Sequence, residues 1–347
     1  MNSSPIIHDP TEIAAAVEGL INLASPRLGS HVRDCSDEFF AKAERMLADH
    51  DPVFIPDKFD DHGKWMDGWE TRRRRHGGHD WCLIQLGAPG FIEGVEVDTR
   101  HFTGNYPPFC SLQACMQSEP PDAAAEWHRL LEGQVLQGDV RHYLRLASIA
   151  GPYRWVRLQI VPDGGIARLR LYGRPVPEWQ MLDARSDGLF ELSALKNGGQ
   201  PICWNDAHYG ALWTVLLEGR GRTMGEGWET RRRREPGHDW LIIRLGGAGF
   251  PREIEIDTAH FKGNYPDHCS VDGAMISDDA KLGPDGRFGS GSSLDWIQLL
   301  PPGKLHADQI HRFVLAAEAG QHKVSHIRVN IVPDGGISRV RLFGQPA

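Results

Sequence analysis

Long apolar runs are missing from these 347 residues, and no stretch reaches the roughly 18 uninterrupted apolar positions that a membrane helix needs. Excess positive charge is missing too. With 38 Lys and Arg against 46 Asp and Glu the formal net charge is −8, which leaves no bulk attraction for nucleic acid or an anionic membrane. Cysteine is sparse, six in all, and the opening MNSSPIIHDPTEIAAAVEGLINLA has no basic n-region, its apolar run being broken by Glu18. The expectation is a cytoplasmic chain with reduced thiols and no signal peptide. HExxH, CxxC and GxSxG do not occur, so neither a tight structural zinc site nor an acyl-enzyme is indicated.

What the sequence has is glycine and proline, 39 and 23 respectively, in a chain that is 40% hydrophobic and 24% charged. That is the composition of a turn-rich globular protein, long enough for two domains. A duplication demands the same. Gly68 to Ser111 aligns without a gap on Gly227 to Ser270, and the two stretches are largely identical. Core positions drift, Val95 and Val97 answering to Ile254 and Ile256, as packing tolerates. The polar set does not drift: Glu70, Arg72 to Arg75, His79, Asp80, Asp98, His101 and Asn105 recur as Glu229, Arg231 to Arg234, His238, Asp239, Asp257, His260 and Asn264.

Secondary structure follows from pattern. Pro10 to Ile21 reads as one short helix opened by Thr11 and Glu12. Trp81 to Leu86 and Val95 to Asp98, with their copies, read as strands from their length and alternation. Trp155 to Ile160 and Ala167 to Gly173, joined by Pro162-Asp163-Gly164-Gly165, read as a closing hairpin, and Ile327 to Gly344 as its copy. Many short strands without a βαβ rhythm predict an all-β protein of two tandem antiparallel β-sandwiches of the jelly-roll kind. The boundaries expected are a lead-in over 1–30, a first repeat over 31–174, a linker over 175–199 and a second repeat over 200–347. The offset between copies grows by twelve residues before the second hairpin, which places a surface loop within Asp278 to Ser293.

The recurring polar residues lie at strand ends and in glycine-bounded loops. If the arginine run is extended, alternation sends at most two of its four side chains to one pocket. Guanidinium forks bind a small carboxylate, and Glu, Asp or Asn accept from amide N–H groups, so the inventory suits an anion bearing several amide or ureido groups. Structural readings stand beside this one. Asp98 and Asp257 precede Thr and can cap a turn, Asn105 and Asn264 can occupy left-handed turns, Trp69 and Trp228 can be core, and a run of four arginines can be a solvated face. A weak oxygen- and imidazole-ligated Mn²⁺ or Mg²⁺ stays open.

At NLASPRLG (Asn22 to Gly29), the two GWETRRRR blocks, GHDW, DTxHFxGNYP and VPDGGIxRxRLxG, motifs that span almost the whole chain, the sequence resembles the allantoicase family. The resemblance implies galactose-binding-like jelly rolls and hydrolysis of allantoate to (S)-ureidoglycolate and urea in purine breakdown. It also implies a cytoplasmic homo-oligomer, with a hexamer as one expected form, and a divalent metal, manganese in some members, with no ligands assigned. On this reading Arg72 and Arg74, or Arg231 and Arg233, hold the substrate carboxylate. Glu70 and Asn105, or Glu229 and Asn264, recognise the ureido groups, and a His–carboxylate set from His79, Asp98 and His101, or His238, Asp257 and His260, moves protons. His76-Gly77 becomes Glu235-Pro236 in the second copy, so the two copies need not both be catalytic. The alternatives are a non-catalytic carbohydrate or ligand binder and a hydrolase of another ureido compound.

Overall fold

The structure is a computed structural model that describes residues 6–180, 182, 184–279, 282 and 295–347. Most of the expected loop Asp278 to Ser293 lies outside the described residues. The chain forms two compact units, Met1–Val176 and Pro177–Ala347, and each is a β-sandwich. Among the described residues the first holds a seven-stranded antiparallel sheet and the second an eight-stranded one.

The lead-in helix, Pro10–Ala16, is capped by the Asp9 carboxylate, which accepts from the Thr11 and Glu12 amides. It includes the whole alanine run but ends short of the expected Ile21, because the chain turns at Gly19, whose φ is 73°. An isolated bridge from Ile7 to Tyr143 ties it to the first unit.

Each sandwich is organised by one long strand, Asp80–Asp98 in the first and Asp239–Asp257 in the second. The two short strands expected on either side of the central glycines are one continuous strand with a bend. Register breaks between Gln85 and Gly90, and again between Arg244 and Gly249, mark that bend. At its inside, a Cβ on Gly87 would lie 1.9 Å from the Leu28 carbonyl oxygen, and one on Gly246 would lie 1.6 Å from that of Asn197. Only glycine lets the backbones approach so closely. Before the bend the strand pairs with His31–Cys35, and after it with Arg168–Pro175.

The expected closing hairpin does not form. Arg141–Val161 and Arg168–Pro175 flank Asp80–Asp98 on opposite sides and do not pair with each other. Gly165 and Ile166, between them, pair instead with Trp69–Glu70. The second unit repeats the arrangement, Val324–Val332 and Arg339–Pro346 flanking Asp239–Asp257 and Gly336–Ile337 pairing Trp228–Glu229. A Pro-Asp-Gly-Gly turn can equally carry the chain across a strand as fold it back beside one.

Alternation along the strands buries Ile84, Val95, Val97, Leu158, Leu169 and Leu171 in the first core, each removing enough apolar surface from water to contribute about 1.5–3 kcal/mol. Trp69 and Trp228 are fully buried, so they are core and not stacking platforms. No helix of the described residues is long and apolar enough to cross a membrane.

Candidate active site

The short strand Trp69–Glu70 begins the site. Trp69 is anchored by its indole N–H, which donates to the Asp37 carbonyl at 2.8 Å, and alternation turns the next side chain, Glu70, to the opposite face. There it meets Asn105. Thirty-five residues later in the chain, Asn105 donates its Nδ2 proton to Glu70 Oε1 at 2.7 Å, and its own carbonyl accepts from the Gly165 amide at 2.7 Å. Gly165 has to be glycine because a Cβ there would sit 2.0 Å from the Phe102 ring. The second unit repeats the pair, Asn264 donating to Glu229. Burial pushes the Glu70 carboxyl above its ordinary range; the Asn105 hydrogen bond opposes this and the negative charge of Asp60 adds to it.

The loop that delivers Asn105 passes through a strained residue. His101 has φ 71° and its amide donates to the Asp139 carboxylate at 2.8 Å, while Asp139 itself has φ 57°. His260 and Asp308 repeat this at φ 71° and 52°, with an amide contact of 2.9 Å. Left-handed conformations at four non-glycine positions cost roughly 1–3 kcal/mol each and persist only where the surroundings impose them. The His101 ring faces the Pro52 carbonyl through Nε2 at 3.1 Å and stacks on Phe54 at 5.7 Å; the His260 ring faces the Gly221 carbonyl at 2.7 Å.

The arginines divide in two. Asp37 accepts from the amide and the Nε of Arg72, and Asp163 from the amide of Arg74, whose guanidinium reaches buried Asp80 at 2.9 Å. Asp206 treats Arg231 in the same way and Asp334 the amide of Arg233, whose guanidinium lies 3.7 Å from Asp239. The charges of Arg72, Arg74, Arg231 and Arg233 are therefore largely met within the fold. Arg73 and Arg232 are exposed and form no ion pair among the described residues.

The proposed proton-transfer sets are not assembled. Asp98 and Asp257 are fully buried, where each caps the following turn and pairs with an arginine, Arg100 at 2.8 Å and Arg220 at 3.1 Å. His79 is exposed and is not among the residues lining the cavity of His101, and His238 faces Asn330 at 3.3 Å. The buried histidines are others. His142 and His311 present Nδ1 to the carbonyls of Val97 and Ile256, and their Nε2 accepts from the amides of Gln137 and His306. Burial lowers both pKa values.

The two units present these groups differently. In the second, Glu229, Asn264, His208 and Tyr209 line one open cavity of about 810 Å³ together with Arg231, Arg232 and Arg233. Three arginines share it, not two, because the run is not a strand and alternation does not apply. In the first unit the arginines line a separate cavity, while Glu70, Asn105 and His101 line one of about 600 Å³ with Phe54, His62 and Lys64.

The difference is a matter of chain length. Asp37 and Trp69, joined by the indole hydrogen bond, are 32 positions apart; their counterparts Asp206 and Trp228, joined in the same way, are 22 apart. The additional residues of the first unit include the small hairpin Phe59–Asp60 and Gly63–Lys64. The base of this segment is held by Arg168, a fully buried residue that sequence reasoning passed over. Its guanidinium pairs with Asp67 at 2.6 Å and donates to the carbonyls of His50 and Asp67. Arg339 does the same for Glu226 and Gly219. The recurrence of Arg after PDGGI was the available signal.

Two further chemistries do not find support. Cys110 and Cys269 are fully buried and desolvation pushes both thiols up to about 12, so they are not nucleophiles near neutral pH. Ser325, His326 and Asp279 form a hydrogen-bonded chain of 2.8 and 3.0 Å, but the serine hydroxyl also meets backbone groups of Ala274 and Ile276. For a divalent metal, no group of three His, Cys, Asp or Glu side chains among the described residues converges as ligands. The described residues do not fit that ion.

Both units match one family model, described as the allantoicase repeat, over residues 21–176 and 190–347. The chain belongs to the allantoicase family. It is 49% identical over 327 residues to a probable allantoicase of Burkholderia mallei, covering 93% of this chain and 94% of that one. To a probable allantoicase of Acinetobacter baylyi it is 47% identical, covering 96% and 97%. The crystal structure of allantoicase from Saccharomyces cerevisiae superposes with a TM-score of 0.75 at 31% identity, over 98% of this chain and all of that one. The allantoicase repeat is thus the unit within which Glu70 meets Asn105 and Glu229 meets Asn264.

Proposed function

We propose that the protein hydrolyses allantoate to ureidoglycolate and urea, a step of purine breakdown. The observation that carries the reading is the Glu70–Asn105 contact, made in a cavity and repeated as Glu229–Asn264. Allantoate carries one carboxylate and two ureido groups on a single carbon. A carboxyl and a carboxamide side by side offer both acceptors and donors to one ureido group, and exposed cations such as Arg232 suit the carboxylate.

Breaking the C–N bond requires a proton on the departing urea nitrogen and addition of water to the carbon. Glu70, held toward its protonated form by burial, is the group fitted to donate that proton. Its Oε1 is occupied by Asn105, which leaves Oε2 to face substrate.

The same reading makes the partner a small molecule and not nucleic acid, in keeping with the net charge of −8. It sets the enzyme in the cytoplasm, which the free state of all six cysteines suits, and as a homo-oligomer, to be checked by analytical ultracentrifugation. Incubation with allantoate and an assay for urea tests the function: stoichiometric release is expected, and a carbohydrate-binding module of the same fold would release none.

A further inference from the structure

The first repeat's cavity contains a group that its sister lacks. The hairpin Phe59–Asp60 and Gly63–Lys64 turns through Asp61 and His62, with the His62 amide donating to the Asp60 carboxylate at 3.0 Å and Gly63 at φ 125°. It is a braced element. The Lys64 ammonium donates to the carbonyls of Ile55 and Pro56 and faces the rings of Phe54 and Phe59. Trp65 returns a backbone hydrogen bond to Lys58, whose ammonium lies 3.6 Å from the Trp65 ring centre. At its tip the His62 ring rests against Phe39, 4.5 Å between centres, and lines the cavity that holds Glu70, His101 and Asn105.

We infer that His62 is a proton-transfer residue of the first-repeat cavity, delivered by a hairpin that the second repeat does without. The inference rests on the reading of the cavity as an allantoate site. Three observations converge on it. The His62 ring is braced on one side by an aromatic ring and open to the cavity on the other, whereas the His101 ring is taken up by the Pro52 carbonyl and the Phe54 face. The hairpin lies close enough to Glu70 for Asp60 to bear on that carboxyl's ionisation. Finally, the corresponding segment of the second repeat is ten residues shorter and contributes no such histidine to its cavity, where His208 comes instead from the position equivalent to Phe39.

The charged and titratable groups that line the cavity are His62 and Lys64 on the hairpin, Glu70, and His101 and Asp139 on the left-handed turns; Asp60 acts on Glu70 from the hairpin, and Arg72 lies over the Phe39 ring. Lys64 is committed to two carbonyls and Asp139 to the His101 amide. His62 and Glu70 are left to divide the chemistry. Neutral His62 takes the proton of the attacking water as its oxygen bonds to the central carbon. Glu70 gives its proton to the urea nitrogen as the C–N bond breaks. The products are ureidoglycolate and urea, with imidazolium and carboxylate left to exchange one proton through solvent.

The experiment is steady-state kinetics on the full chain with allantoate, comparing wild type with His62→Gln and His62→Ala, the variants and their parent carrying Glu229→Gln to silence the second cavity, across pH, the last with and without added imidazole. The expected result is a 10²- to 10⁴-fold fall in kcat with KM changed only a few-fold, loss of the acid-side limb of the kcat profile, and partial recovery of His62→Ala by imidazole. Parental kcat in both variants overturns the inference, as does a rise in KM alone. A fall in kcat that keeps the acid-side limb and ignores imidazole also overturns it, since that is the signature of a merely structural loop. A wild-type protein that releases no urea from allantoate condemns the functional reading itself, a result distinct from all of these.

Discussion

Glu70 is the residue to which the proposed function assigns the acid, and its environment makes a directional prediction. Burial favours the protonated carboxyl, so the acid it supplies is lost as pH rises through that elevated value. Glu70→Gln, made in a Glu229→Gln background so that the second carboxyl does not compensate, keeps the shape and the Asn105 contact but has no acidic proton, and kcat for urea release should fall about 10²-fold or more, with the alkaline limb of the profile gone. His101 offers a different test, because its backbone is left-handed. His101→Gly relieves that strain while His101→Ala keeps it, so the glycine variant should be the more stable by about 1 kcal/mol, measured by urea denaturation. The buried His142 is a pH sensor of the fold. Its pKa is lowered below the ordinary 6.5, so the unfolded chain binds the extra proton first. The stabilisation is complete above that value and is lost as pH falls below it toward the lowered one. The denaturation midpoint should therefore drop between pH 7.5 and 5.5, and drop less in His142→Gln.

Among the elements, the segment between Asp37 and Trp69 was the least legible in sequence and the most informative in structure. Strands announced themselves through alternation, as Val95 to Asp98 did, or through the length of an apolar run, as Trp81 to Leu86 did, and the matching of Glu70 with Glu229 and Asn105 with Asn264 picked out the two paired groups. The hairpin at Phe59–Lys64 lies outside the gap-free aligned stretch, and its fold is set by lysine and tryptophan contacts that have no periodic signature. Asp98 and Asp257 were chosen for recurring, and in the structure each caps its turn and pairs with an arginine. Arg168 shows the same principle with a measurable consequence. Removing it in Arg168→Met leaves Asp67 buried without its cation, which should cost about 3–5 kcal/mol, and the loosened segment should become the first site cut in limited proteolysis.

At the scale of the whole molecule, duplication was the feature sequence could establish outright, since identity over Gly68 to Ser111 and Gly227 to Ser270 needs no structural interpretation. What it could not establish was the path of the chain between the two long flanking strands, because a Pro-Asp-Gly-Gly turn is compatible with adjacent and with separated strands alike. Nor could equal motifs reveal unequal cavities: the second unit opens its carboxylate to a three-arginine basin, while the first sets its own in a cavity lined by His62, Gly63 and Lys64 and leaves its arginines to another. Each unit has its own buried core, and Met1–Val176 expressed alone should give a cooperative thermal transition and a β-type circular dichroism spectrum. Gly87 and Gly246 carry a last consequence. In a saturation library scored by growth on a purine-derived nitrogen source, both columns would empty as thoroughly as that of Glu70, although neither glycine comes near a reacting atom. Tolerance to mutation would then draw a map of two overlaid demands, being foldable and turning over, and only a parallel measure of protein abundance would peel one from the other.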